Sequence, residues 1–162
     1  MRSSPQKGGL SVVEIVIAAA IIITVVTAAG GAWQLYLRLS NTSIRQSQAA
    51  ILTEEAAEAL RVLRDENWTR NIATLTNGTL YQLSWNGGRY SLDTSQVLLQ
   101  NQYVRTIALS AVNRDATTFD IVSSGGTTDT NTKKVTISVF TEGATSSPIM
   151  QSEMLLHNVQ NN

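Results

Sequence analysis

The chain of 162 residues contains no cysteine, only two prolines and a single histidine. Without cysteine there is no disulfide framework, no thiolate metal site and no cysteine nucleophile. A folded region must then be held by its own core, by neighbours in an assembly, or by both. The lone histidine, His157, lies near the C-terminus and reads as a surface residue beside a polar tail. A histidine-based triad or zinc site has nothing else to draw on. Charge of one sign is also lacking, since twelve Lys and Arg balance twelve Asp and Glu. Nucleic-acid binding leans on clustered cations, so no nucleic-acid partner is expected. Neither Gly87-Gly88 nor Gly125-Gly126 leads into a Lys-Ser/Thr helix start, which excludes a phosphate loop. Asp115, Asp120 and Asp129 surround a Gly/Ser/Thr-rich stretch but lack the dense alternation of a calcium loop. No enzyme, no metal and no cofactor is expected.

What the chain does have is hydrocarbon at one end. Mean hydropathy is near zero overall, yet from Leu10 to about Ala32 nearly every residue is apolar. A bilayer-spanning helix needs about 20 such residues. Arg2 and Lys7 precede the run and only Arg38 follows shortly after, which favours a cytoplasmic N-terminus. Three readings compete: a signal peptide ending near Thr27-Ala28-Ala29, a plain membrane anchor, and a leader followed by a functional helix. Glu14 bears on the choice. A lone carboxylate inside a hydrocarbon segment costs about 3 kcal/mol even on the mild insertion scale, so it marks a functional candidate.

The residues Lys7-Gly8-Gly9-Leu10-Ser11-Val12-Val13-Glu14 resemble the cleavage and methylation signature of type IV prepilins and pseudopilins. The resemblance implies that a prepilin peptidase cuts after Gly9 and that the new terminal residue, Leu10, is N-methylated. It also implies that Glu14 pairs with the terminal amine of an adjacent subunit and guides assembly. Two positions depart from the pattern: the residue after the cut is more often Phe, and Ser-Val-Val stands where Thr-Leu-Ile or similar is common. The physics is coherent beside the likeness, because opposite charges attract strongly in a poorly solvating layer although desolvation offsets much of the gain. The partners so implied are the prepilin peptidase, other pilin subunits, the inner-membrane assembly machinery and the membrane itself. The implied location is the cytoplasmic membrane as a single-pass precursor, then an extracellular or periplasmic filament. Ala18, Ala19, Ala20, Ala28, Ala29, Gly30 and Gly31 offer small faces for close helix packing.

No proline interrupts the chain between Pro5 and Pro148, so one helix is free to run from Leu10 to about Asn67, with Gly30-Gly31 its weak point. Trp33 and Tyr36 fall where the hydrocarbon ends, as interface aromatics do. Beyond them Ile44, Ala49, Leu52, Ala56, Leu60 and Leu63 recur at helical steps and predict one face packed on a sheet. Asn71 to Gly78 reads as a polar connection. Strands are expected at Thr79–Trp85, Arg89–Leu92 (after the Asn86-Gly87-Gly88 turn), Tyr103–Val112, Lys134–Thr141 and Ile149–Leu156. Val104, Ile107, Leu109, Val112, Val135, Ile137 and Val139 are the candidate core, and Ser123 to Asn131 reads as a flexible loop. Trp68, Trp85 and Tyr90, without interleaved cations, are assigned to core packing. Asn67-Trp68-Thr69 and Asn77-Gly78-Thr79 match glycosylation acceptors.

The expected fold class is therefore α+β, a long N-terminal helix packed on a C-terminal antiparallel sheet, and this layout again looks like a pilin. The parts run as a leader over 1–9, an apolar helix over 10–32, its amphipathic continuation over 33–67 and a sheet domain over 68–162. From Arg61 through Gly87-Gly88-Arg89-Tyr90-Ser91-Leu92 to Lys133–Val139 the chain also loosely resembles minor-pilin-like proteins.

Overall fold

A computed structural model describes residues 11–144 and 146–160. Helix α1 runs unbroken over Val12–Glu66, passing Gly30 and Gly31, around which there is open space. It is followed by a π-helical turn, Thr69–Ala73. The strands are β1 (Leu80–Asn86), β2 (Arg89–Asp93), β3 (Leu98–Leu99), β4 (Tyr103–Arg114), β5 (Ile121–Val122), β6 (Thr127–Thr141) and β7 (Met150–His157). The class is α+β. The chain divides into two compact units, Met1–Ile44 and Arg45–Asn162.

In the second unit the strands form one antiparallel sheet in the order β2-β1-β4-β6-β7, with β3 and β5 also paired to β4. Alternation along β4 and β6 explains what packs where. Ile107, Leu109, Val135 and Ile137 are buried on the face that receives Ala56, Ala59, Leu60 and Leu63 of α1. Tyr103 and Val139 meet Ala49 and Leu52 in a smaller cluster. The small Ala49, Ala56 and Ala59 let the helix backbone approach the sheet, and Leu60 fills the space between them. Polar links fix the register. The Tyr103 hydroxyl donates to Gln48 Oε1 (2.7 Å), and Arg105 Nη1 donates to the Leu52 carbonyl (2.8 Å) and to Glu55 Oε2 (2.9 Å). Thr53, also buried, satisfies its hydroxyl on the Ala49 carbonyl.

Where the helix stops, asparagines close it. Asn67 Oδ1 accepts from the Arg70 amide and Asn71 Nδ2 donates to the Leu63 carbonyl. Trp68 is carried into the core between them. Asn67 is thus engaged in ending the helix, whereas Asn77 is exposed and its Oδ1 accepts from Lys133 Nζ.

Four expectations need correction. Ile44 is 53% exposed, and the buried stripe starts only at Ala49 and also takes in Thr53 and Ala59. Trp85 is 62% exposed: it shares the alternation of the core-facing Tyr81 and Leu83 of β1 but lies outside the buried cluster, and packs edge-on to Tyr90 instead. The polar connection expected from Asn71 to Gly78 begins inside a π-helical turn, Thr69–Ala73. The segment expected to be a loop up to Asn131 is strand from Thr127 onward. A bulge after Ala111 lets Val112 pair with Asp129, so the polar Thr127–Asp129 continues the ladder with β4.

Asp129 builds that bulge. Its carboxylate accepts from Arg114 Nε (2.7 Å), Thr132 Oγ1 (2.6 Å) and the Asn131 amide (2.9 Å). These bonds, with Thr132 first and the Arg114 charge adding to them, hold its pKa down to about 2 against the opposing effect of burial. The Thr132 hydroxyl also meets His157 Nδ1 at 2.9 Å, which ties the end of β7 to the same knot.

Candidate functional site: the exposed apolar half of α1

The described part of the first unit is a single run of helix. Every residue from Ser11 to Leu39 is exposed, including Ile15, Ile17, Ile21, Ile22 and Ile23. By length and composition this helix is able to cross a membrane. The run has no polar face, which distinguishes it from a helix that merely covers a sheet. The two threonines within it are satisfied internally. Thr24 Oγ1 donates to the Ala20 carbonyl and Thr27 Oγ1 to the Ile23 carbonyl, both at 2.8 Å. Neither threonine hydroxyl therefore needs water, as an apolar medium requires. Trp33 and Tyr36 lie one turn apart with ring centroids 5.9 Å from each other.

Glu14 is the exception. It occupies the first turn of α1 and is exposed. Among the described residues its carboxylate has no hydrogen bond and no ion pair. The nearest structural feature is the helix start itself: the Ile15 amide donates to the Ser11 carbonyl, which makes Ser11 the N-cap and Glu14 the third helical residue. Ser11-Val12-Val13-Glu14 has the spacing of a reciprocal capping box, a signal present in the sequence that the membrane argument passes over. An anion there also faces the positive end of the helix dipole. Gly9 and Leu10, the expected processing residues, lie outside the described residues.

Elsewhere two of the aspartates serve the local backbone. Asp115 Oδ1 accepts from the Thr117 and Thr118 amides, which lowers its pKa, and Asp129 holds the bulge described above. Among the described residues no group of three or more acids and histidines is placed to hold a metal ion. Comparison with protein-family models, with curated proteins and with solved structures finds no match.

Proposed function

We propose that this chain is a structural subunit of a type IV pilus-like filament, a major or minor pilin. In this reading it is made as a precursor in the cytoplasmic membrane with its N-terminus inside. A prepilin peptidase removes residues 1–9, and inner-membrane machinery assembles the mature chain through its Leu10–Ala32 helix into an extracellular or periplasmic filament. The observation that carries this is an apolar helix surface exposed on every side from Val12 to Ala32, whose one charged residue is Glu14. The second unit completes its own core and does not need that surface. A type II secretion pseudopilin would use the same parts. In this reading the chain is cut after Gly9 by another protein and then assembles, and it catalyses no reaction itself.

A second reading rests on the Ser11-Val12-Val13-Glu14 spacing and not on a bond made by the Glu14 carboxylate. If Glu14 serves only as the partner of Ser11 in a helix cap, the chain is a membrane-anchored extracytoplasmic domain that never polymerises. Mass spectrometry of the mature N-terminal peptide tests processing: a chain beginning at Leu10, methylated or not, supports the filament reading. An intact Met1, or a start near Gly30, sinks it. Glu14→Gln separates the two roles, since glutamine caps a helix as glutamate does but carries no charge. A filament subunit loses assembly in Glu14→Gln as fully as in Glu14→Ala, and a simple anchored domain is untouched by either.

A further inference from the structure

The sheet face opposite α1 carries a half-open cavity of about 530 Å³, a size typical of small-molecule sites (~300–1,000 Å³). Its floor crosses three strands: Gln82 on β1, Thr106 on β4 and Ser138 on β6, with Thr106 and Ser138 directly opposite each other. Phe140 forms a wall, and Thr94 and Gln96 reach in from the segment after β2. Gln82 is the informative residue. It is only 7% exposed, it lines the cavity, and its amide has no hydrogen-bond partner among the described residues. That amide keeps contact with solvent through the half-open cavity, so its donor and its acceptor are free to bond a ligand there.

The lining restricts what would pair with it. No charged residue takes part, so an ionic ligand would lose its hydration without gaining a counter-ion. A purely apolar ligand would leave the Gln82 amide and the floor hydroxyls unsatisfied. An extended peptide needs a free strand edge, but β1, β4 and β6 each have a strand on both sides. What remains is a neutral molecule with several hydroxyls and one apolar face to lie against Phe140. We propose that this groove is a binding site for an uncharged saccharide. Gln82 donates and accepts at its floor, Thr106 and Ser138 bond further hydroxyls, and Phe140 packs against the C–H face of a sugar ring. The inference does not depend on filament assembly, because every residue it uses belongs to the second unit.

The test uses the full chain in phosphatidylcholine nanodiscs, which avoids sugar-headed detergents. Saturation-transfer NMR is recorded with lactose, cellobiose and chitobiose, and with 3′-sialyllactose as the charged counterpart. Transfer to at least one neutral disaccharide is expected, with affinity about tenfold or more weaker in Gln82→Leu. Thr106→Val, which keeps the volume, should weaken the same sugar if Gln82→Leu fails to fold. Thermal unfolding adds a readout independent of binding. Gln82→Leu should melt close to the parent, because the amide it removes makes no hydrogen bond among the described residues. Absence of transfer to all three neutral sugars overturns the proposal. So does binding unchanged in both variants, or sialyllactose binding as tightly as the best neutral sugar.

Discussion

The two halves of α1 are both apolar, and they behave oppositely. Between Ser11 and Leu39 no residue is buried, whereas between Ala49 and Leu63 seven are. The second half has the lower apolar content. What it has is direction: Ala49, Leu52, Ala56, Leu60 and Leu63 share one side, and Glu54, Glu58 and Arg61 occupy the other. The first half is apolar all round, so no single neighbour suffices to cover it, and only a medium or a ring of partners would. Periodicity decides whether a helix is covered by its own sheet. Apolar density alone does not.

Substitutions along this one helix test the contrast. Leu60→Ala removes a fully buried side chain from the main core and should cost about 3 kcal/mol. Trp68 fluorescence during urea unfolding would report it, because Trp68 is buried while Trp33 and Trp85 are exposed. Ile22→Ala should leave that transition unmoved. An equal loss from Ile22→Ala would mean the apolar half is covered after all.

Two glycines extend the comparison to the backbone. Gly126 has a φ of +73°, and a Cβ there would collide with the Arg114 carbonyl oxygen. Gly126→Ala should therefore destabilise the second unit by roughly 2–3 kcal/mol, read from the same urea curve. Gly30 meets nothing within 4 Å, so Gly30→Ala should stabilise the helix by about 1 kcal/mol, seen as raised helicity in circular dichroism. A loss of helicity would show that the glycine is needed for its shape.

Acid should act on the second unit between these magnitudes. The folded Asp129 carboxyl titrates at about 2, below its usual 3.8, and its side chain is only 13% exposed. A depressed pKa means the folded state holds its proton less tightly than the unfolded chain. The stabilisation is complete above about pH 5 and is lost as pH falls through 3.8 toward 2, on the order of 2 kcal/mol in all. Asp129→Asn should abolish most of this slope in urea unfolding measured from pH 5 to pH 2. A slope unchanged in the variant would place the acid sensitivity elsewhere.

The parts of the fold legible in the sequence are those with a strong period. The length of α1, strands β1, β2, β4 and β7, and the buried Val135-Ile137-Val139 series all follow from spacing of apolar residues. Strand β6 shows the limit. Its Thr127–Asn131 segment has the composition of a loop and is a strand because Asp129, Arg114 and Thr132 bond to one another across the bulge, a tertiary cause with no local signature. Trp85 misled for a similar reason, since its side of the strand is apolar but the buried cluster ends at Leu83. The candidate site divides in the same way. Glu14 stands out in any reading of the apolar run, while Gln82 is one glutamine among many until the sheet places it on the cavity floor.

The hydroxyl back-bonds in α1 also have a mechanical meaning. Ile23 shares its carbonyl with the Thr27 side chain, and Gly30 and Gly31 follow within two turns, with no side chain to brace them. Each glycine lowers the cost of unwinding by about 1 kcal/mol. Loaded along its axis, the helix should yield first over Thr24–Gly31. The β4–β6 ladder, with twelve registered pairs, would stay intact. That stretch is a built-in point of compliance, where the chain lengthens under tension before anything folded is lost.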